Sequence, residues 1–213
     1  MDILITGANR GIGAALLHDY RAEGRDAAGT ARSTPDLLPL DVTDPVSVTA
    51  LAASLNGAPL GLLVCNAGVY LDKGHTLGQG YGADLWAKSF ATNVTGVFLT
   101  IEALLPNLRA AKGKIAIISS QMASQTNAPG GAYIYRASKA AALNLGRNLA
   151  ADLKGDGISV GIYHPGWVQT DMGGSAAQIT PAEASAGLRA RFDALSLDTS
   201  GCFETWDGRA HPL

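Results

Sequence analysis

The sequence predicts a single doubly wound α/β domain built on a mostly parallel seven-stranded sheet. Short apolar, β-branched runs alternate with longer helical runs along the whole chain. Apolar strands joined by helical crossovers imply a parallel sheet covered on both faces. A glycine-rich turn from Gly7 to Gly13 directly follows the first apolar run, where a strand hands over to a helix beside the ligand crevice of such sheets. No composition break, repeat or low-complexity tract divides the chain, so residues 1–213 are read as one domain.

The elements follow in order. Met1–Thr6 is the first strand, and Ala14–Glu23 a helix stopped by Gly24. Asp26–Thr30 reads as the second strand and Leu37–Val42 as the third, with Pro39 pointing to a sheet edge because it cannot donate to a ladder. Asp44 is an N-cap and Pro45 a first helical residue, opening a helix to about Leu55. Leu60–Cys65 is a buried strand, and Asp72–Gly82 the longest irregular loop. Asp84–Leu108 gives a long helix, Lys114–Ser119 a strand, Tyr133–Leu153 a helix and Ile158–Tyr163 a strand. Pro181–Leu195 is the last helix, and Gly201–Trp206 the closing strand.

Bulk properties exclude several classes. Hydrophobic residues at 47% against 16% charged describe a packed globular protein and argue against disorder. A formal net charge of -2 offers no footprint for nucleic acid or anionic membrane. The apolar runs are strand-length, and no charged segment leads into an apolar one at the N-terminus, so neither a membrane partner nor a secretion signal is expected. Cys65 and Cys202 stand far apart without metal-ligand spacing and read as buried reduced thiols, which fits a cytoplasmic protein with no metal.

Chemistry centres on Tyr135-Arg136-Ala137-Ser138-Lys139. One helical turn separates the tyrosine from the lysine, so both leave the same helix face. An ammonium beside a phenol favours phenolate, which is expected to lower the Tyr135 pKa and tune it as a general acid/base toward a carbonyl or alcohol. At the other end of the chain, Thr6-Gly7-x-x-x-Gly11-x-Gly13 lets the backbone approach a pyrophosphate, with a helix N-terminus supplying free N–H groups.

A Gly-x-x-x-Gly-x-Gly turn combined with a later Tyr-x-x-x-Lys pair resembles the short-chain dehydrogenase/reductase family, with its Rossmann-type fold. The resemblance runs essentially from Met1 to the end. Asn66-Ala67-Gly68 is similar to the family's N-A-G element along the cofactor, and Asn93 to its helix asparagine. Ser120 matches the catalytic serine. Because the stretch from Ser120 to Tyr135 is longer than the family's common spacing, Ser119 stays as an alternative. His164-Pro165-Gly166-Trp167-Val168-Gln169-Thr170 matches the P-G-x-x-x-T element, whose Thr meets the nicotinamide carboxamide. Asp41-Val42 resembles the acidic-apolar pair at the adenine. Y-R-A-S-K and H-P-G-W-V-x-T-D-M-G-G are similar to the carbonyl-reductase branch.

The resemblance implies hydride transfer between NADP(H) and a small-molecule carbonyl/alcohol pair. It implies catalytic roles for Asn93, Ser120, Tyr135 and Lys139. Cofactor contacts are implied for Gly7, Asn9, Arg10, Gly11, Ile12 and Gly13 in the turn, for Arg32, Asp41 and Val42, and for Asn66, Ala67 and Gly68. Tyr135, Lys139, Pro165, Gly166, Val168 and Thr170 complete that set. NADPH over NADH is expected because Thr30-Ala31-Arg32-Ser33, about 20 residues past the turn, holds no carboxylate for a 2′-hydroxyl, while Arg32 and Arg10 suit a 2′-phosphate. A catalytically silent dinucleotide-binding regulator is the other function the fold admits, and the complete Ser/Tyr/Lys/Asn set speaks against it. The long helices at 84–108 and 133–153 offer faces for a homo-oligomer.

Overall fold

The computed structural model describes residues 1–78 and 80–213; Gln79, within the loop expected over Asp72–Gly82, lies outside the described residues. Within the described residues seven strands form one sheet in the order β3-β2-β1-β4-β5-β6-β7: β1 Ile3–Ile5, β2 Ala27–Ala31, β3 Leu38–Pro39, β4 Leu62–Cys65, β5 Lys114–Ile118, β6 Ser159–His164 and β7 Phe203–Thr205. Every pairing between them is parallel. β3 is an edge strand, as Pro39 predicts. The direction of winding reverses between β1 and β4, so a crevice opens beyond their carboxyl ends.

Among the described residues six α-helices flank the sheet: α1 Gly11–Ala22, α2 Pro45–Leu55, α3 Ala83–Phe90, α4 Gly96–Ala111, α5 Tyr133–Asp152 and α6 Pro181–Ala194. Strand side chains alternate between two cores. Leu4, Leu63, Ile115 and Ile117 pack with Val97, Ile101, Leu104 and Leu108 of α4 and with Ala142 and Leu143 of α5. Ile3, Ile5, Leu62 and Val64 pack against Leu16 and Leu17 of α1 and Leu188 and Phe192 of α6. Each fully buried Leu or Ile contributes about 1.5–3 kcal/mol, so these two layers bind the sheet to its helices.

Local signals explain the starts of α2 and α6. The Asp44 carboxylate accepts from the N–H of Val46, and Pro45 stands at the first turn of α2. Thr180 and Glu183 form a reciprocal capping box on α6. Four expectations need correction. The first helix starts at Gly11 rather than Ala14, because the glycine turn feeds straight into it. The long helix expected over Asp84–Leu108 is α3 and α4 joined by a π-turn at Ala91–Thr95. Cys65 is buried, but Cys202 is only half-buried. The helical stretch Ala83–Ala111 is long and apolar enough to cross a membrane by length and composition, contrary to the reading of short apolar runs, yet its apolar side chains include the buried core of α4.

Candidate active site

The glycine turn is stitched to the end of β4. The Thr6 hydroxyl accepts from the N–H groups of Asn66 and Ala67, both at 3.0 Å. Asn66 Nδ2 donates to the carbonyls of Thr6 at 2.9 Å and Gly7 at 3.0 Å. Gly7 has φ 66°, which favours glycine. A Cβ on Gly13 would stand 2.4 Å from the Gly7 carbonyl oxygen, so α1 packs closer to the turn than any other residue permits. No side chain caps α1 and no acid occupies its first turn, which leaves its N-terminal N–H groups for a ligand.

These elements border a cleft of about 790 Å³. Gly7, Asn9, Arg10, Gly11 and Ile12 line one part of it, with Asn66, Ala67 and Gly68 from the end of β4 alongside. Arg32, Asp41 and Val42 line it beyond β2 and β3. The Asp41 carboxylate accepts from the backbone N–H of Thr43 at 2.9 Å and its hydroxyl at 2.7 Å, and these bonds lower its pKa. A second hollow of about 350 Å³ lies between Asn9, Arg10, Arg32, Ser33 and Thr34, with no carboxylate in its wall.

Tyr135 and Lys139 line the opposite part of the cleft, both from α5 and both buried. Their chemistry differs from the simple expectation. Burial pushes the Tyr135 phenol up to about 12, and the Ser120 hydroxyl only partly offsets this. Burial pulls Lys139 down to about 8. For each group the cost of desolvating the charged form is the dominant cause. Lys139 Nζ donates to the Ile118 carbonyl at 2.9 Å.

Ser119 and Ser120 part company here. Ser119 lines the cleft, but its hydroxyl is spent on α5, where it donates to the Lys139 carbonyl at 3.0 Å. The Ser120 hydroxyl accepts from the Met122 N–H at 3.1 Å and borders Tyr135. Asn93 sits in the π-turn, where its side chain makes three hydrogen bonds. Its Oδ1 accepts from the Val69 N–H at 2.8 Å, and its Nδ2 donates to the Val69 carbonyl and the Ser138 hydroxyl, each at 2.9 Å.

After β6, Pro165 and Thr170 reach the cleft, whereas Gly166 and Val168 stand behind it. Gly13, Asn93 and Ser120 are likewise outside its lining. A Cβ on Gly11 would approach Thr170 Cγ2 to 3.1 Å, so the turn and the Thr170 segment touch. Two clips hold that segment across the opening: Arg10 pairs with Asp171 at 2.6 Å, and Lys73 Nζ donates to the Met172 carbonyl at 2.9 Å. Neither was foreseen, because nothing local links residues so far apart in sequence.

The contacts of two further residues were not foreseen. The Tyr70 ring stacks on Tyr135 with centroids 4.3 Å apart. Asp72, expected only as the start of a loop, is fully buried, and its carboxylate accepts from the N–H groups of Ile134 at 2.8 Å and Tyr135 at 3.2 Å. The only available signal was the absence of a capping side chain just before Tyr133.

A doubly wound parallel sheet whose switch-point cleft joins a glycine turn to a buried Tyr/Lys pair places the molecule in the class of dinucleotide-fold oxidoreductases. Residues 2–180 match the model of the short chain dehydrogenase family, and the chain belongs to that family. It is 37% identical over 223 residues to 1-hydroxy-2-glutathionyl-2-methyl-3-butene dehydrogenase of Rhodococcus sp. (strain AD45), covering 97% of this chain and 96% of that protein. Among solved structures it is similar to the NADPH-bound carbonyl reductase from chicken fatty liver, with a TM-score of 0.91, 31% identity and coverage of 100% of this chain and 98% of that one. A short-chain dehydrogenase/reductase from Burkholderia multivorans with bound NADP gives a TM-score of 0.90 and 29% identity over 100% of this chain and 99% of that one.

Proposed function

We propose that the chain transfers a hydride between NADP(H) and a carbonyl/alcohol pair, with Tyr135 as general acid/base. One observation carries the reading: a single cleft holds the Tyr135/Lys139 pair at one part and the glycine turn with Arg10 and Arg32 at another. The residues present fit the cofactor. The uncapped N-terminus of α1 suits a pyrophosphate, and the polar hollow between Arg10 and Arg32 suits a 2′-phosphate. The likeness to structures with bound NADPH and NADP supports the same choice.

The cofactor supplies the hydride when bound. Negative charge then grows on the carbonyl oxygen. Tyr135 is positioned to protonate it, and Ser120 to donate a hydrogen bond to it. With the phenol raised to about 12 and the ammonium near 8, the resting pair at neutral pH is a neutral phenol beside a cation. That is the protonation state reduction needs. Lys139 spends one N–H on Ile118, leaving two for ribose hydroxyls and for stabilising the phenolate once formed. Asn93 braces the loop after β4 against α5 and would hold a water that links Lys139 to solvent and replaces the proton.

The test is turnover of NADPH with a panel of ketones and aldehydes, and of NADP with alcohols, by wild type and Tyr135→Phe. Tyr135→Phe keeps the ring and its stack on Tyr70 but removes the proton. General acid catalysis is worth roughly 10²–10⁴-fold, so the variant is expected to bind NADPH normally and lose most turnover. Retention of more than about a tenth of the wild-type rate would remove Tyr135 from that role.

A further inference from the structure

We propose that Asp72 is a positioning residue for Tyr135, acting from the loop after β4 as the missing N-cap of α5. This rests on the assignment of Tyr135 as the proton donor.

Helix α5 begins without a cap of its own. Ala132 precedes it in the left-handed region at φ 47°, with no side chain able to accept a hydrogen bond, and its first turn holds no acid. The orphan N–H groups of a helix start usually find the side chain of the preceding residue, most often at the second and third helical positions. Here those positions are Ile134 and Tyr135, and their partner is Asp72, far away in sequence. Each carboxylate oxygen takes one of them, Oδ2 from Ile134 at 2.8 Å and Oδ1 from Tyr135 at 3.2 Å. Asp72 is wholly buried and has no salt bridge to a basic side chain among the described residues. A buried carboxylate without such a partner is costly unless hydrogen bonds and a favourable field compensate. The positive end of α5 provides both.

The bond to Tyr135 ties the backbone of the proposed acid to the loop that follows β4. That loop holds the start of α5 at two more points. The Tyr70 ring lies on the Tyr135 ring, and Val69 is bound by Asn93, which also holds Ser138 one residue before Lys139. Loss of Asp72 would leave the Tyr135 amide without its partner in the loop, free to shift by the fraction of an ångström that proton transfer does not tolerate. A 1 Å misplacement can cost about a hundredfold in rate.

The test uses the full chain with NADPH and a ketone that the wild type reduces. Asp72→Asn keeps shape and one acceptor but sets an N–H₂ against the second amide. It is expected to lower kcat per NADPH-binding site by about ten- to hundredfold, with KM and the NADPH Kd within about twofold. Asp72→Ala is expected to lower kcat at least as far. A purely structural role would lower Tm and the number of binding sites but leave kcat per site within about twofold, and that result would overturn the proposal. Wild-type hydrogen exchange tests it without any variant. The amides of Ile134 and Tyr135 are expected to exchange as slowly as interior amides of α5, and exchange as fast as the uncapped Ile12 and Gly13 amides would overturn it. If Tyr135→Phe itself retains turnover, the acid/base assignment has failed; if only the Asp72 variants do, the positioning role alone has.

Discussion

The ammonium of Lys139 lies 5.7 Å from the centre of the Tyr135 ring and gives its hydrogen bond to the Ile118 carbonyl, at the end of β5. The pair is therefore held by the sheet as much as by the helix that carries it. Burial raises one group and lowers the other, so each waits in its uncommitted form: phenol protonated, amine close to losing its charge.

That arrangement sets a pH dependence. Folded Lys139 titrates near 8 against an ordinary 10.5, so between those values the folded state binds fewer protons than the unfolded one. Stability from this group is lowest below pH 8 and rises as pH climbs to 10.5. Lys139→Met lacks the term. Its stability relative to wild type is expected to fall by up to about 3 kcal/mol between pH 7 and 10.5, read by urea unfolding at each pH. The same titration predicts that wild-type kcat/KM for reduction declines as pH rises through about 8, and that Lys139→Met loses this limb together with cofactor affinity.

Arg32 borders the polar hollow from the end of β2. If it grips a 2′-phosphate with a charge-assisted bond of about 1.5–3 kcal/mol, Arg32→Ala should lower the NADPH-to-NADH ratio of kcat/KM about ten- to hundredfold. Arg32→Asp should lower it further. A ratio indifferent to both substitutions, or a wild type that prefers NADH, would show the ribose end to be read wrongly.

Asp171 holds the other guanidinium of that hollow. The Arg10–Asp171 pair is 67% and 76% exposed, which limits such pairs to about 0–1 kcal/mol, but any phosphate must compete with it. Asp171→Asn frees Arg10 and removes a negative charge. The NADPH Kd is expected to tighten about two- to fivefold and the NADH Kd to stay put, measured by cofactor fluorescence.

Gly13 tests the turn. A Cβ there would meet the Gly7 carbonyl oxygen at 2.4 Å and Asn66 Nδ2 at 2.5 Å, so Gly13→Ala must push α1 away from the turn and strain the Asn66 bond. The expected cost is about 1–3 kcal/mol in stability, with NADPH affinity reduced. Gly155→Ala is the control. Nothing stands within 4 Å of its Cβ, and a change within about 0.5 kcal/mol is expected.

Much of this molecule could be read from the chain in order. Apolar runs, Asp44-Pro45, Gly24 and Pro39 act on their own neighbours, so the strands, helices and edge position followed from local chemistry. The glycine turn and the Tyr135/Lys139 pair were legible for the same reason: each works through backbone geometry or helix spacing within a few residues. Tertiary structure decided what depends on the burial of groups remote in sequence. It broke the long helix with a π-turn at Asn93, aimed Ser119 into α5 and laid Tyr70 on Tyr135. It also brought Asp72 beneath α5 and paired Arg10 with Asp171. It reversed the expected effect on the phenol as well. A neighbouring ammonium acts over one helical turn and can be counted from spacing, but the desolvation that outweighs it exists only once the sheet and six helices have closed around both groups.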